Sequence, residues 1–426
     1  MKPVLVDQPR PEAEAMQYLQ PGDRIVVGQA CGEPRALLEA LIDAGPTIGG
    51  LSVFLASSFS DLLAKSTAAS FEVVSMGAIG SLKALADEHR LSIIPAHVSQ
   101  LNALIADGLI GCDVVLLQVS PADANGYHSL GLSSDYLLTA TAKARIVIAE
   151  INDQIPFTYG THIHRSKIHI PIKVSYPPAE LHPAPAGPIE MAIGRGVARY
   201  IEDRAVIQTG VGSVPDAVLK LIADRKDLGV HSGMISDGIL DLIECGAITN
   251  AAKPIDTGVS VTCALAGTKR LYDFAHCNPK IEMRPGTYTH NAAVLTRITR
   301  LVAINSAIEV DLTGQVNAEQ SGDRYLGGTG GQVDFSSAAL RSPGGRSIVA
   351  LPSTALSGRA SRISAQLSGP VTTPRTDVDV VVTEYGSAEL RGRSLAERAR
   401  RMTQIAHPDF QAELDKAAFD IARRGF

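Results

Sequence analysis

The chain has 426 residues, enough for two or three domains at roughly 150 residues each. Hydrophobic residues make up 45% and charged residues 19%, so a sizeable core can form and a disordered chain is excluded. Lys and Arg number 39 against 44 Asp and Glu, a net charge of −5, which leaves no basic stripe for nucleic acid and no polybasic membrane patch. Aromatic residues are only 4%, with no Trp, which argues against stacking platforms for single strands and against a membrane aromatic belt.

The first half alternates short apolar runs with helical patterns. Strands are expected at Arg24–Val27, Leu51–Ala56, Glu72–Met76, Leu91–Pro95, Val114–Val119 and Ile146–Ile151, with helices such as Glu33–Ala44 and Ser81–Glu88 between them. Near-continuous Val/Ile/Leu runs separated by helices point to a parallel sheet covered on both faces, hence an α/β fold. Pro171, Pro177, Pro178, Pro183, Pro185 and Pro188 then crowd one stretch. Proline lacks a backbone donor, so this stretch reads as a linker rather than a sheet interior, with domains at 1–187 and 188–426.

The second half resumes the alternation. A helix is expected over Ile189–Ile201, a strand over Ala205–Gln208 and a helix over Pro215–Ala223. Later strands are expected at Val259–Leu265, Leu301–Val310, Ser347–Leu351 and Val378–Thr383. Ser394 and Glu397 form a capping box ahead of a basic helix from Leu395 to about Ala406, and a last helix starts near Asp409.

The five cysteines, Cys31, Cys112, Cys245, Cys263 and Cys277, are scattered without C-x-x-C spacing. The opening MKPVLVDQPRPEAEA has no apolar core for a leader, and no apolar run reaches the roughly 18 residues of a membrane span. The expectation is a cytoplasmic protein with reduced thiols.

Three glycine-bearing loops stand out. Gln208-Thr-Gly-Val-Gly-Ser-Val-Pro-Asp216 follows a predicted strand and opens a helix. Gly210 and Gly212 permit positive φ and close backbone approach, Ser213 suits a cap, and the free amides favour an anionic or carbonyl group. Pro215 takes the third glycine position of G-x-G-x-x-G, so nicotinamide binding is not expected, and the segment also fits an ordinary strand-to-helix turn. Gly327-Gly-Thr-Gly-Gly-Gln332 is costly to order and lacks the G-K-[ST] of a P-loop; with strand-like Val333-Asp-Phe335 behind it, it reads as a close-approach ligand loop. Gly28-Gln-Ala-Cys-Gly-Glu-Pro34 is a third loop, equally compatible with a simple turn.

Histidines give weaker signals. His231, Ser232 and Asp237 have the composition of a hydrolase triad, but no G-x-S-x-G elbow accompanies them, and a structural histidine fits as well. His162 and His164 alternate on a strand without a cysteine or acid at ligand spacing, so no metal is expected.

Taken in order, these segments resemble the acetyl-CoA hydrolase/transferase family, near the 4-hydroxybutyrate CoA-transferase branch. The resemblance runs through Gly28–Pro34, Ser120-Pro-Ala-Asp-Ala-Asn-Gly-Tyr127, Ala149-Glu-Ile-Asn-Asp-Gln154, Gly210–Pro215, Ile304-Asn-Ser-Ala-Ile-Glu-Val-Asp-Leu-Thr-Gly-Gln315, Gly328–Gln332, Val382-Thr-Glu-Tyr-Gly386 and Ile405-Ala-His-Pro-Asp-Phe410. It implies two CoA-transferase-type α/β domains in one chain, an active site between them, CoA or acyl-CoA as substrate, a small carboxylic acid or other small acyl acceptor, and a homodimer. It also implies CoA contacts from Gly210, Val211, Gly212, Ser213, Val214, Ile308 and Gly331. Neither metal nor NAD is called for.

In the family a glutamate attacks the thioester, gives a mixed anhydride, and is then converted by the released thiolate into a glutamyl-CoA thioester, which is ping-pong covalent catalysis. Its signature is His-[Ser/Thr]-Glu-Met-x-Ser-Asp-Gly. This chain reads His231-Ser-Gly-Met-Ile-Ser-Asp-Gly238, with Gly233 at the nucleophile's position. Glu244, in a helix-like stretch further on, cannot simply substitute without a different backbone path, and Glu319 precedes the glycine loop. Three functions remain open: a CoA-transferase whose glutamate is supplied otherwise; a thioester hydrolase or acyl transferase using His231 as base; and a CoA-binding protein without catalysis.

Overall fold

The computed structural model describes residues 11–67, 70–183 and 185–425, so residues 1–10, read above for leader character, lie outside it. The chain forms two compact units. Of the described residues, one comprises those within 11–182 and 261–291, the other those within 183–260 and 292–425. The first crossing falls close to the expected boundary near residue 187. The chain then crosses back at 260/261 and returns at 291/292.

The first unit is built on a seven-stranded sheet of β1 (Arg24–Val27), β2 (Ser52–Phe54), β3 (Glu72–Ser75), β4 (Leu91–Ile93), β5 (Val114–Val119), β6 (Ile146–Asn152) and β7 (Ile170–Val174), in the order β7-β6-β5-β1-β2-β3-β4. Every pairing is parallel. All six side chains of β5 are buried, as a strand covered on both faces requires. Alternate residues serve different clusters: Ile25, Val27, Val53 and Leu116 enter one, while Val26, Phe54, Val115 and Leu117 enter another. Pro171 corrects the linker reading. It lies in β7, opposite Ala149 of β6. The strand is at the edge of the sheet, where a missing donor breaks no ladder on the open side.

The second unit carries a six-stranded sheet of β8 (Val206–Thr209), β9 (Gly229–Val230), β10 (Leu301–Asn305), β11 (Arg346–Ala350), β12 (Val380–Thr383) and β13 (Gly386–Glu389), in the order β9-β8-β10-β11-β12-β13. The first five are parallel and β13 is antiparallel. One cluster sets Val349, Leu351 and Val381 against Met402, Leu414 and Ile421 of the last two helices, Leu395–Gln404 and Pro408–Arg424. The capping box is formed, with the Ser394 hydroxyl accepting from the Glu397 amide.

Two expected strands are broken. Leu301–Val310 divides into β10 and a separate strand Glu309–Asp311, which belongs to another, three-stranded sheet. Val259–Leu265 divides into Ser260–Thr262 and Ala264–Leu265. Val333–Phe335 is not a strand: it lies in the helix Gln332–Arg341, whose Phe335, Ala338 and Ala339 bury a helical stripe against Val206 and Ala303.

Candidate functional site

Parallel strands leave all their carboxyl ends on one edge of a sheet. In the second unit, strand order reverses between β8 and β10, because β9 lies on one side of β8 and all later strands on the other. Such a reversal opens a crevice outside the carboxyl ends of the two diverging strands, where ligands bind in α/β sheets. Gly210 follows β8, His231 follows β9, and Ser306–Ile308 follow β10. The helix Gln332–Arg341 is the crossover from β10 to β11, so its N-terminus, capped at Gly331, belongs to the same edge. The fold therefore gathers Gly210–Val214, His231–Gly233, Ile308 and Gly331 from four separate stretches of sequence.

The loop after β8 is open. A Cβ at Gly210 or Gly212 would meet nothing within 4 Å. Only Gly212 has a positive φ, +127°, and it, not Ser213, is the N-cap of the helix Ser213–Lys220. Ser213 is the first helical residue, so its hydroxyl is not the cap the sequence suggested. Val211 is 37% exposed while Val214 is buried, which leaves one apolar side chain of the loop facing outward. Ile308 is half-buried and its amide donates to the Asn317 carbonyl at 2.9 Å.

At the end of β9, His231 and Ser232 are buried and Gly233 is half-buried. The His231 amide donates to the Ile207 carbonyl at 3.2 Å. The Ser232 hydroxyl donates to the Thr209 carbonyl at 3.1 Å and accepts from the Met234 amide at 3.4 Å. Ser232 is thus a stitch between the end of β8 and the loop at Gly233, not a free nucleophile, and Asp237 is buried in the first turn of the helix Asp237–Glu244. Glu244 ends that helix, exposed, roughly 10 Å along the axis from its start at 1.5 Å per residue.

Glu319 has a different occupation. Its carboxylate accepts from the Tyr325 hydroxyl at 2.5 Å and from the Thr372 hydroxyl at 2.7 Å, and the residue is buried. Its carbonyl receives the amides of Leu326 and Gly327 at 2.7 and 2.9 Å. A Cβ at Gly327 would lie 2.2 Å from the Ala318 carbonyl oxygen, so the glycine run begins where the backbone doubles back on itself. Glu319 ties down this loop rather than presenting a free carboxylate.

Several groups at this edge were given no role of their own by the sequence. Gln208 and Asn305 pair their amides across β8 and β10. Glu384, just past β12, accepts from the Ser353 amide at 2.9 Å and hydroxyl at 2.7 Å. Arg362 reaches the Ala307 carbonyl. Gln208, Asn305 and Glu384 fall inside segments quoted above and Arg362 in none of them, but no local spacing marks these contacts, so only long-range pairing reveals them. Elsewhere, in the first unit, the His162 ring bonds the Thr158 carbonyl and the His164 ring bonds the Ser166 hydroxyl. Among the described residues no group of three or more His, Cys, Asp or Glu is placed to hold a metal ion.

The family models of the acetyl-CoA hydrolase/transferase N-terminal and C-terminal domains match residues 10–201 and 267–418. The chain belongs to the acetyl-CoA hydrolase/transferase family. It is 39% identical to a 4-hydroxybutyrate coenzyme A transferase of Clostridium kluyveri over 94% of this chain and 95% of that one. Among solved structures, a 4-hydroxybutyrate CoA-transferase of Porphyromonas gingivalis is 37% identical, with a TM-score of 0.82 over 97% of both chains. RipA of Yersinia pestis is 33% identical, with a TM-score of 0.91 over 97% of both chains. These likenesses bear out the two-domain CoA-transferase fold.

Proposed function

We propose that the chain is an acyl-CoA enzyme that binds CoA thioesters at the carboxyl edge of the second sheet and acts on them without a glutamyl-CoA intermediate at position 233. One observation carries the reading: the family's CoA loops and the Gly233 position converge at a single strand-order reversal. Two glycine loops at helix N-termini, open at Gly210 and Gly212 in one and at Gly330 in the other, suit a ligand of carbonyl and anionic groups. Glycine offers no carboxylate for an anhydride, and Glu319 is already engaged. The relatives named for CoA transfer, and an acetyl-CoA hydrolase of Kluyveromyces lactis that is 32% identical over half of this chain, supply the two reactions to choose between.

Thioester hydrolysis, or acyl transfer to a small acceptor, is favoured by the missing side chain at half-buried Gly233, since water or an acceptor can take the place of the family's carboxylate. The buried position of His231 supports a part in shaping that loop more than one as the base itself. A small carboxylic acid is the acceptor only in the transfer alternative, whereas a homodimer and a cytoplasmic location belong to either, the last supported by five free cysteines. A panel of acyl-CoAs, followed for free CoA and for new acyl products, tests it. Release of CoA without an acid acceptor is the expected result. CoA exchange strictly dependent on a second acid, with a trappable adduct on Glu244 or Glu319, would replace hydrolysis by transfer, and binding without turnover would leave a CoA-binding protein.

A further inference from the structure

The geometry points to Arg362 as a binding residue for an oxyanion of the substrate, a carboxylate or a phosphate group. Its backbone is fixed at the carboxyl edge of the second sheet: its amide donates to the Ser353 carbonyl beyond β11, and its carbonyl accepts from the Val310 amide, both at 2.8 Å. From there the side chain reaches toward the segment after β10, where one guanidinium nitrogen meets the Ala307 carbonyl at 3.4 Å. Ala307 precedes Ile308, the apolar residue assigned to CoA.

The guanidinium carries five N–H donors in a planar fork and does not lose its charge. Here one long bond to a neutral carbonyl is its recorded partner, and its Nε is buried without any. Among the described residues Arg362 forms no ion pair with a carboxylate. Glu384 is the acid that acts on it electrostatically, but both oxygens of Glu384 are held by Ser353. Burial lowers the Arg362 pKa, and the field of Glu384 only partly offsets this. A partly desolvated cation with unmet donors is costly unless an anion meets it, and a bidentate oxyanion fits the fork. Substrates of the proposed reaction bring two such groups, the phosphates of CoA and the carboxylate of an acid.

The assignment of these sources rests on the CoA reading; the oxyanion site itself does not. The test compares wild type with Arg362→Met and Arg362→Lys, titrating CoA and phosphate-free pantetheine by calorimetry and carboxyl-labelled butyrate by NMR. If Arg362 holds a CoA phosphate, Arg362→Met weakens CoA roughly tenfold or more and leaves pantetheine unchanged. If it holds the acid, butyrate binding is lost and CoA is unchanged. Arg362→Lys recovers part of either loss. Equal weakening of CoA and pantetheine would mean that the arginine only shapes the Ala307–Ile308 segment, and unchanged binding of all three ligands would likewise overturn the proposal. Should Arg362→Met not fold, Arg362→Lys decides between the same outcomes through the salt dependence of binding. A wild type that binds butyrate through Arg362 but neither CoA nor pantetheine would sink the CoA reading and keep this site.

Discussion

The amides of Gln208 and Asn305 form a reciprocal pair: the Gln208 Nε2 donates to Asn305 Oδ1 at 3.3 Å, and the Asn305 Nδ2 donates to Gln208 Oε1 at 3.2 Å. They lie near the carboxyl ends of β8 and β10, the two strands between which the order of the sheet reverses. A ligand crevice at such a reversal needs its two rims held at a fixed spacing, and this pair spans them directly.

Removing one amide leaves the other short of partners, whereas removing both does not. Asn305→Ala should cost about 1–2 kcal/mol, since Gln208 is buried and Asn305 only half so. Gln208→Leu combined with Asn305→Ala should cost less than the two single changes added. Urea unfolding of the four proteins measures the coupling, and strict additivity would show that the pair contributes nothing across the crevice.

The glycines of the two loops should respond differently. Gly331 is an N-cap at φ −99°, a conformation open to any residue, so Gly331→Leu should fold normally and weaken CoA binding by roughly tenfold or more through obstruction alone. Gly212 sits at φ +127° with free space around it, so Gly212→Ala should lose about 1 kcal/mol or more of stability from backbone strain rather than from a clash. Thermal unfolding and CoA titration of both variants separate the effects. Equal stability losses would refute the distinction.

Glu150 in the first unit gives a pH dependence unrelated to the reaction. Burial raises its pKa from the ordinary 4.5 to about 7, although the Tyr176 hydroxyl, the Leu37 amide and the Gln118 amide all donate to it. The folded protein therefore holds a proton that the unfolded chain has released between pH 4.5 and about 7. The contribution of this group is stabilising below that window and falls as pH rises through it, by at most about 1.4 kcal/mol per pH unit, then levels off. Glu150→Gln should flatten the stability profile between pH 5 and 7, read by denaturant unfolding at several pH values. A variant that keeps the wild-type slope would assign that slope to other groups.

Regular segments of this fold are legible in the sequence where burial is two-sided. Val114–Val119 is apolar except for Gln118, all six residues are buried, and it forms β5 with the expected limits. Sequence pattern fails where the chain changes partner without changing character. Leu301–Val310 is apolar enough for one strand, yet the chain leaves the six-stranded sheet after Asn305 and joins another sheet at Glu309, and the gap is the Ile308 segment of the site. Residues 261–291 have no composition that marks them as part of the first unit, since that membership is a matter of contacts distant in sequence. The short run Val333–Phe335 suits a strand by alternation, and only the helical stripe continuing through Ala338 and Ala339 decides against it. Glu384 lies in the Val382–Gly386 segment of the resemblance, but nothing local marks its pairing with Ser353, and Arg362 lies in none of those segments.

Gly233→Glu gives the chain the complete signature His-Ser-Glu-Met-Ile-Ser-Asp-Gly. The described residues with left-handed backbone do not include Gly233, so a side chain there meets no φ penalty. Replacing a glycine under that condition narrows the unfolded ensemble and on that account stabilises by about 0.4–1 kcal/mol. The loop is already held on both sides, by Ser232 on the Thr209 carbonyl and by the Met234 amide on Ser232, so the new carboxylate is attached to an ordered backbone. Position 233 is half-buried rather than sealed in the core. Covalent transfer then requires only a carboxylate in reach of the acyl carbon and a second acid to complete the cycle. The variant should exchange CoA between acetate and butyrate and yield a borohydride-trappable adduct at residue 233 by mass spectrometry, whereas wild type should yield none there. A folded Gly233→Glu protein that binds CoA but exchanges nothing across a broad acid panel would show that the pocket is shaped for a reaction in which no residue-233 carboxylate takes part.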